Sequence, residues 1–176
     1  MEIQKDEIQM TSTHQALNQP EIEIRPLTTG EDSTAFRTLN EEWITRYFTL
    51  EKMDRETLGD PEKMILQKGG RIFLVYLGAE AVGCVALIPI GNSVYELSKM
   101  AVSPKLRGLG IGRRLLEHAV TQARLMGAKC LFLASNKKLE NAVHLYESIG
   151  FRHVAPERIP PMPYTRANVF MEMPLW

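Results

Sequence analysis

The alternation of apolar and polar residues, read from the N-terminal side, predicts a mixed succession of strands and amphipathic helices. Glu21-Ile-Glu-Ile-Arg25 alternates with period two, as a half-buried strand does, and Pro26 ends it or marks an edge. From Glu31 to Tyr47, Phe36, Leu39, Trp43 and Tyr47 recur every three or four residues, predicting a helix whose start Asp32 or Ser33 caps. Asp60-Pro61 opens a further short helical stretch that stops at Gly69-Gly70. Arg71–Leu77, Ala81–Ile88 and Val94–Val102 are rich in strand-forming residues, and the turns between them (Gly78-Ala79 and Gly91-Asn92-Ser93) predict three antiparallel strands. Gly110–Met126 carries an apolar stripe of Ile111, Leu115, Ala119 and Ala123, and Gly127 stops it. Cys130–Ala134 is a continuous apolar run, as expected of a strand covered on both faces. Strand, helix and strand in that order predict a right-handed parallel crossover. Leu139–Ile149 is a last amphipathic helix closed by Gly150, and a proline-rich loop (Pro156, Pro160, Pro161, Pro163) leads to a final strand, Ala167–Met173.

The pattern predicts an α/β fold on one mixed sheet. Its 176 residues suit one core, so the expected organisation is a flexible extension over residues 1–20 and a single domain over 21–176. Residues 1–20 lack the apolar run of a signal peptide, and no later stretch approaches the roughly 20 apolar residues of a membrane span. A cytoplasmic protein is therefore expected. Twenty-one basic residues balance 21 acidic ones, which removes any general attraction to nucleic acid or to an anionic membrane. Cys84 and Cys130 sit in strand-like runs and read as buried thiols, with a single disulfide left open. The four histidines form no metal-binding pattern and there is no G-x-S-x-G elbow, so neither a metal nor a serine hydrolase is expected.

Local charge changes this neutral picture. Lys99 to Arg114 holds five basic residues and no acidic one, and glycines at 108, 110 and 112 run into a helix start. Exposed amides at such a start favour an anion, phosphate above all. The stretch lacks the G-K-[ST] of a triphosphate loop, and its G-x-G-x-G spacing departs from the G-x-G-x-x-G of a dinucleotide site. Seven acidic residues against three basic ones between Glu41 and Glu62 read either as a solvated helical face or as an attraction for a cationic amine.

Arg107-Gly-Leu-Gly110-Ile-Gly112 matches [QR]-x-x-G-x-[GA], and Ala142, Tyr146, Gly150 and Phe151 match A-x-x-x-Y-x-x-x-G-F. In that order, over about Ile22 to Met173, the chain resembles the GNAT superfamily of acyl-CoA-dependent N-acetyltransferases. The resemblance implies a mixed sheet of about seven strands flanked by about four helices, splayed between its fourth and fifth strands to admit the pantetheine arm of acetyl-CoA. It implies that Met100, Ala101 and Val102 hold the acetyl and pantetheine groups. Arg107, Gly108, Leu109, Gly110, Ile111, Gly112 and Arg113 would cradle the pyrophosphate. Tyr146 would be the acid at the departing thiol, and Glu96, six residues before Val102, the general base. Strand alternation places Glu96 on one face with Ser98, Met100 and Val102. Where many relatives carry a cofactor-binding Asn this chain has Leu139, and Asn136 just upstream is the nearest side chain able to replace it. The implied reaction joins acetyl-CoA to a primary amine, of a small molecule or of a protein, with a homodimer left open; the alternative is an acyl-CoA-binding regulatory module.

Overall fold

The structure is a computed structural model that describes residues 20–176. The extension expected over residues 1–20 lies outside the described residues apart from Pro20. Seven strands form one sheet: β1 (Glu23–Pro26), β2 (Arg71–Leu77), β3 (Glu80–Gly91), β4 (Val94–Val102), β5 (Cys130–Ser135), β6 (Arg152–His153) and β7 (Val169–Pro174). Their spatial order is β1-β2-β3-β4-β5-β7-β6, and only β4 and β5 run parallel. The helices are α1 (Thr34–Tyr47), α2 (Lys52–Gly59), α3 (Ile111–Leu125) and α4 (Glu140–Ile149).

Both faces of the sheet are covered, which is why β2 and β3 are apolar almost throughout. Ile72 and Leu74 of β2 pack with Phe36 and Ile44 of α1 and Leu58 of α2. Phe73 and Val75 of the same strand pack on the opposite side with Ile111, Leu115 and Ala119 of α3. Successive residues of a strand point to opposite faces, so a strand between two helical layers has no polar side to show. Cys84 is buried, Cys130 is half-buried, and both are free thiols.

Two segments differ from the sequence-based expectation. Lys52–Gly59 is a helix where none was expected, and 60–70 holds a single wide π-type turn, Glu62–Leu66, instead of a regular helix. The start of α2 is fixed by a capping box in which the Glu51 side chain accepts from the backbone of Asp54, while the Asp54 side chain accepts the Glu51 N–H at 2.8 Å. Acidic residues fill both capping positions, so the usual Ser/Thr signal is missing. At α1, Ser33 occupies the N-cap without a side-chain bond; Asp32 accepts instead from the Thr34 N–H at 2.9 Å.

A further departure lies in β4. Against β3, Ser98 pairs with Ala86 and Ala101 with Cys84, so Lys99 and Met100 together oppose the single residue Val85. This is a β-bulge, and Lys99 sits in it with φ of +52°, a conformation uncommon for residues other than glycine. The bulge breaks the alternation on which the shared face of Glu96, Met100 and Val102 was expected. Leu97, Met100 and Val102 pack toward α3, whereas Ala101 packs toward α1. Glu96, next to Leu97, therefore stands on the α1 side, opposite Met100 and Val102.

Candidate active site

The parallel register of β4 with β5 runs only from Val94/Cys130 to Glu96/Phe132. Beyond it β5 pairs with β7 alone, so the β5-facing edge of Leu97 to Val102 has no strand partner. Two adjoining spaces occupy this gap, and both end on Tyr146.

The larger is a groove of about 510 Å³ between the end of β4, the glycine turn and α4. Gly108 and Gly110 have φ of +76° and +77°, and Gly110 is the N-cap of α3. The first intrahelical bond runs from the Arg114 N–H to the Gly110 carbonyl at 3.1 Å, so the amides of Ile111, Gly112 and Arg113 have no partner within the helix. With the helix dipole behind them, these amides form an anion cradle that suits a pyrophosphate. Met100, Ala101, Val102, Arg107, Gly108, Gly110, Ile111 and Gly112 all line the groove. Leu109 is exposed at the tip of the turn, and the Arg113 side chain turns aside to donate to Ser148 Oγ at 2.7 Å.

The smaller space, about 100 Å³, opens on the α1 side and is lined by Glu96, Ser98, Lys99, Trp43, Phe48 and Tyr164 among others. Burial raises the Glu96 carboxyl above the usual range for Glu, opposed by the charge of Lys99. Asn136 borders this cavity and not the groove. Its amide donates to the Arg166 carbonyl at 2.6 Å, and its Oδ1 accepts the Lys138 N–H at 2.8 Å. Leu139, just before α4, borders both spaces, as do Trp43, Met100 and Tyr146. Burial pushes the Tyr146 hydroxyl up to about 12, so it stays protonated across the neutral range.

Below the small cavity lies a buried ionic cluster that sequence reasoning missed. Asp54 Oδ1 accepts from Lys99 Nζ at 2.7 Å and from Arg166 at 2.9 Å, and Oδ2 accepts from Arg166 at 2.6 Å. Arg166 also donates to Glu51 at 3.0 Å, and Lys99 Nζ donates to the Tyr164 hydroxyl at 2.9 Å. Desolvation works to raise the Asp54 carboxyl, but the hydrogen bonds from Arg166 and Lys99 outweigh it and hold the group at about 2. The solvated-face reading of residues 41–62 thus fails at Asp54, which is fully buried, and at Glu51. Trp43 and Tyr47 of α1 both line the groove, and Tyr47 is exposed under Arg107, whose guanidinium lies 5.6 Å from its ring centroid. Only the oddity of a Lys amid strand residues hinted at Lys99, since its partners lie 45 and 65 positions away.

A mixed sheet parted between β4 and β5, with a glycine-rich anion cradle at the mouth of the gap, is the arrangement that the resemblance to the acyl-CoA-dependent N-acetyltransferases implied. Residues 35–151 match the model of the Acetyltransferase (GNAT) family, and the chain belongs to that family. Over 106 residues it is 34% identical to the uncharacterized N-acetyltransferase YjgM of Escherichia coli (strain K12), a stretch covering 56% of this chain and 64% of that protein. A GNAT-family acetyltransferase from Staphylococcus aureus Mu50 shares the fold, with a TM-score of 0.79 and 22% identity over 89% of this chain and all of that one. The acetyltransferase YncA of Salmonella typhimurium, solved with its cofactor acetyl-CoA, superposes with a TM-score of 0.66 and 19% identity over 88% of this chain and 94% of that one. Among the described residues no helix is long and apolar enough to cross a membrane, and no group of three or more His, Cys, Asp or Glu side chains is placed to hold a metal.

Proposed function

We propose that the protein transfers the acetyl group of acetyl-CoA to a primary amine by direct attack while both are bound. The observation that carries this reading is the placement of Tyr146 where the groove meets the small cavity, with Glu96 on the cavity side. The groove takes the donor: unpaired amides at the start of α3 receive the pyrophosphate, and the free edge of β4 around Met100, Ala101 and Val102 receives the pantetheine arm and the acetyl carbonyl. The cavity takes the amine.

Acetyl-CoA supplies the thioester. A lysine-like amine, with a pKa of about 10.4, is almost entirely protonated at neutral pH and cannot attack until it loses a proton. Glu96, as the carboxylate, takes that proton directly or through a water. The amine nitrogen then bonds to the acetyl carbon, the carbon–sulfur bond breaks with its electron pair going to sulfur, and the nitrogen gives its second proton to the departing thiolate, leaving the amide and the free thiol. The Tyr146 hydroxyl, held at about 12, is a weaker acid than a thiol of about 8.5, so full proton transfer to sulfur is uphill. Its contribution is a hydrogen bond that strengthens as the thiolate charge develops.

Release of free thiol from acetyl-CoA, followed across a panel of small amines, amino acids and peptide N-termini, tests the reading. Thiol release that depends on an amine and falls in Glu96→Gln and Tyr146→Phe is expected. A blank panel, with the protein still stabilised by acetyl-CoA, would instead favour the regulatory module.

A further inference from the structure

The β4 bulge changes which charged groups meet. In a regular strand residues 96 and 99 point to opposite faces, because their spacing is odd. Here the extra residue opposite Val85 turns Lys99 to the α1 side, the side that Glu96 already occupies. A lysine in this place is costly on two counts: it is held at φ +52°, and its side chain is 4% exposed. Both costs are met by a fixed set of partners. Asp54 of α2, itself at 0% exposure, accepts from Nζ at 2.7 Å, and the Tyr164 hydroxyl accepts from it at 2.9 Å.

Resting on the reading of Glu96 as the base, we propose that Lys99 is a positioning residue for the acceptor side: Asp54 aims its ammonium into the wall of the small cavity, where it anchors Tyr164 and presents a positive charge on the side that Glu96 lines. The charged and titratable groups around Glu96 are consistent with this role. Lys99 lies on β4 itself, Asp54 on α2, Tyr164 and Arg166 on the segment before β7, and Tyr146 on α4. Arg166 is held by Asp54 and Glu51, and Lys99, held by Asp54 as well, is the cation whose charge opposes the effect of burial on Glu96. The bulge is thereby the device that brings a cation to the face of β4 that the half-buried Glu96 occupies.

The test is the titration of Glu96 itself, followed by carboxyl carbon NMR in the full chain. Lys99→Gly retains the left-handed backbone and removes the ammonium. We expect the Glu96 midpoint to rise by about one pH unit, and Lys99→Arg, which keeps a cation, to hold it near the wild-type value. Should Lys99→Gly alone fail to fold, Lys99→Asn removes the charge, keeps a side-chain donor for Asp54 and tolerates the left-handed backbone; the same rise is expected. A Glu96 midpoint unmoved in a folded Lys99→Gly or Lys99→Asn variant overturns the proposal. Because the readout is a titration and not turnover, this outcome is distinct from failure of the base reading, which full activity of Glu96→Gln would bring about.

Discussion

At the scale of single residues, the two groups given chemical roles are shifted in the same direction by the same cause, with different consequences. Burial raises Tyr146 and keeps it a donor across the neutral range. Tyr146→Phe removes one hydrogen bond to a developing charge, which corresponds to a loss of about tenfold to a hundredfold in kcat. The ring, packed edge-on against Phe151 with centroids 5.9 Å apart, retains its contacts, so the melting temperature is expected to stay within a degree or two of wild type. Burial also raises Glu96, and there it works against a base, since the rate falls as pH drops through the raised value. In Glu96→Gln that acid limb gives way to the titration of the amine itself, at higher pH. The deficit, about a hundredfold at neutral pH, shrinks as pH climbs toward the pKa of the amine, which then deprotonates unaided. A deficit constant across pH would show that Glu96 acts otherwise. Tyr146 and Glu96 could be named in advance because the family resemblance fixes their places, four residues before Gly150 and six before Val102. Lys99, Asp54, Tyr164 and Arg166 could not, because ion pairs between remote segments leave no local pattern.

At the scale of elements, the strands and helices that were legible are those with many apolar positions in register: β2, β4, α3 and α4 lie within about a residue of their expected bounds. Missed or misplaced were α2, which buries little apolar surface beyond Leu58, and the bulge, which period-two reasoning assumes away. The glycine turn separates conformation from contact within one loop. Gly110 has φ of +77°, and a Cβ added there would meet nothing within 4 Å, so Gly110→Ala incurs a purely conformational cost of about 1–2 kcal/mol, visible in thermal unfolding. Gly112 has no positive φ, and an added Cβ would meet Leu145 at 3.7 Å and Met100 at 3.8 Å, ordinary contacts. Gly112→Ala is therefore expected to fold as wild type and to lose affinity for acetyl-CoA by calorimetry, because the new methyl stands in the groove beside the amides. Equal affinity in that variant would move the pyrophosphate away from the start of α3.

At the scale of the whole molecule, the acceptor side is assembled from distant parts of the chain, and the Asp54 cluster joins them: α2, the β4 bulge and the segment before β7 meet on one carboxylate. That junction makes stability depend on pH with a definite sign. Asp54 titrates near 3.8 when unfolded and at about 2 when folded, so its stabilising contribution is complete above the unfolded value and disappears as pH falls from about 4 to about 2. A shift of this size corresponds to about 2 kcal/mol. Glu96 acts with the opposite sign, since its raised folded value makes the ionised form costly and acid relieves that cost first. Stability is therefore expected to hold or rise slightly from neutral pH toward about 5 and to fall below about 4. Asp54→Asn isolates the cluster's share. It leaves the Lys99 ammonium with Tyr164 as its remaining partner and costs about 3–5 kcal/mol at neutral pH. Denaturant unfolding of both proteins between about pH 6 and 2 then reads the linkage directly: as the wild-type carboxylate takes up its proton, the gap between the two narrows by about 2 kcal/mol. A gap that stays constant through that range would mean that Asp54 is not held by the charges of Lys99 and Arg166, and that something other than this cluster joins the three segments.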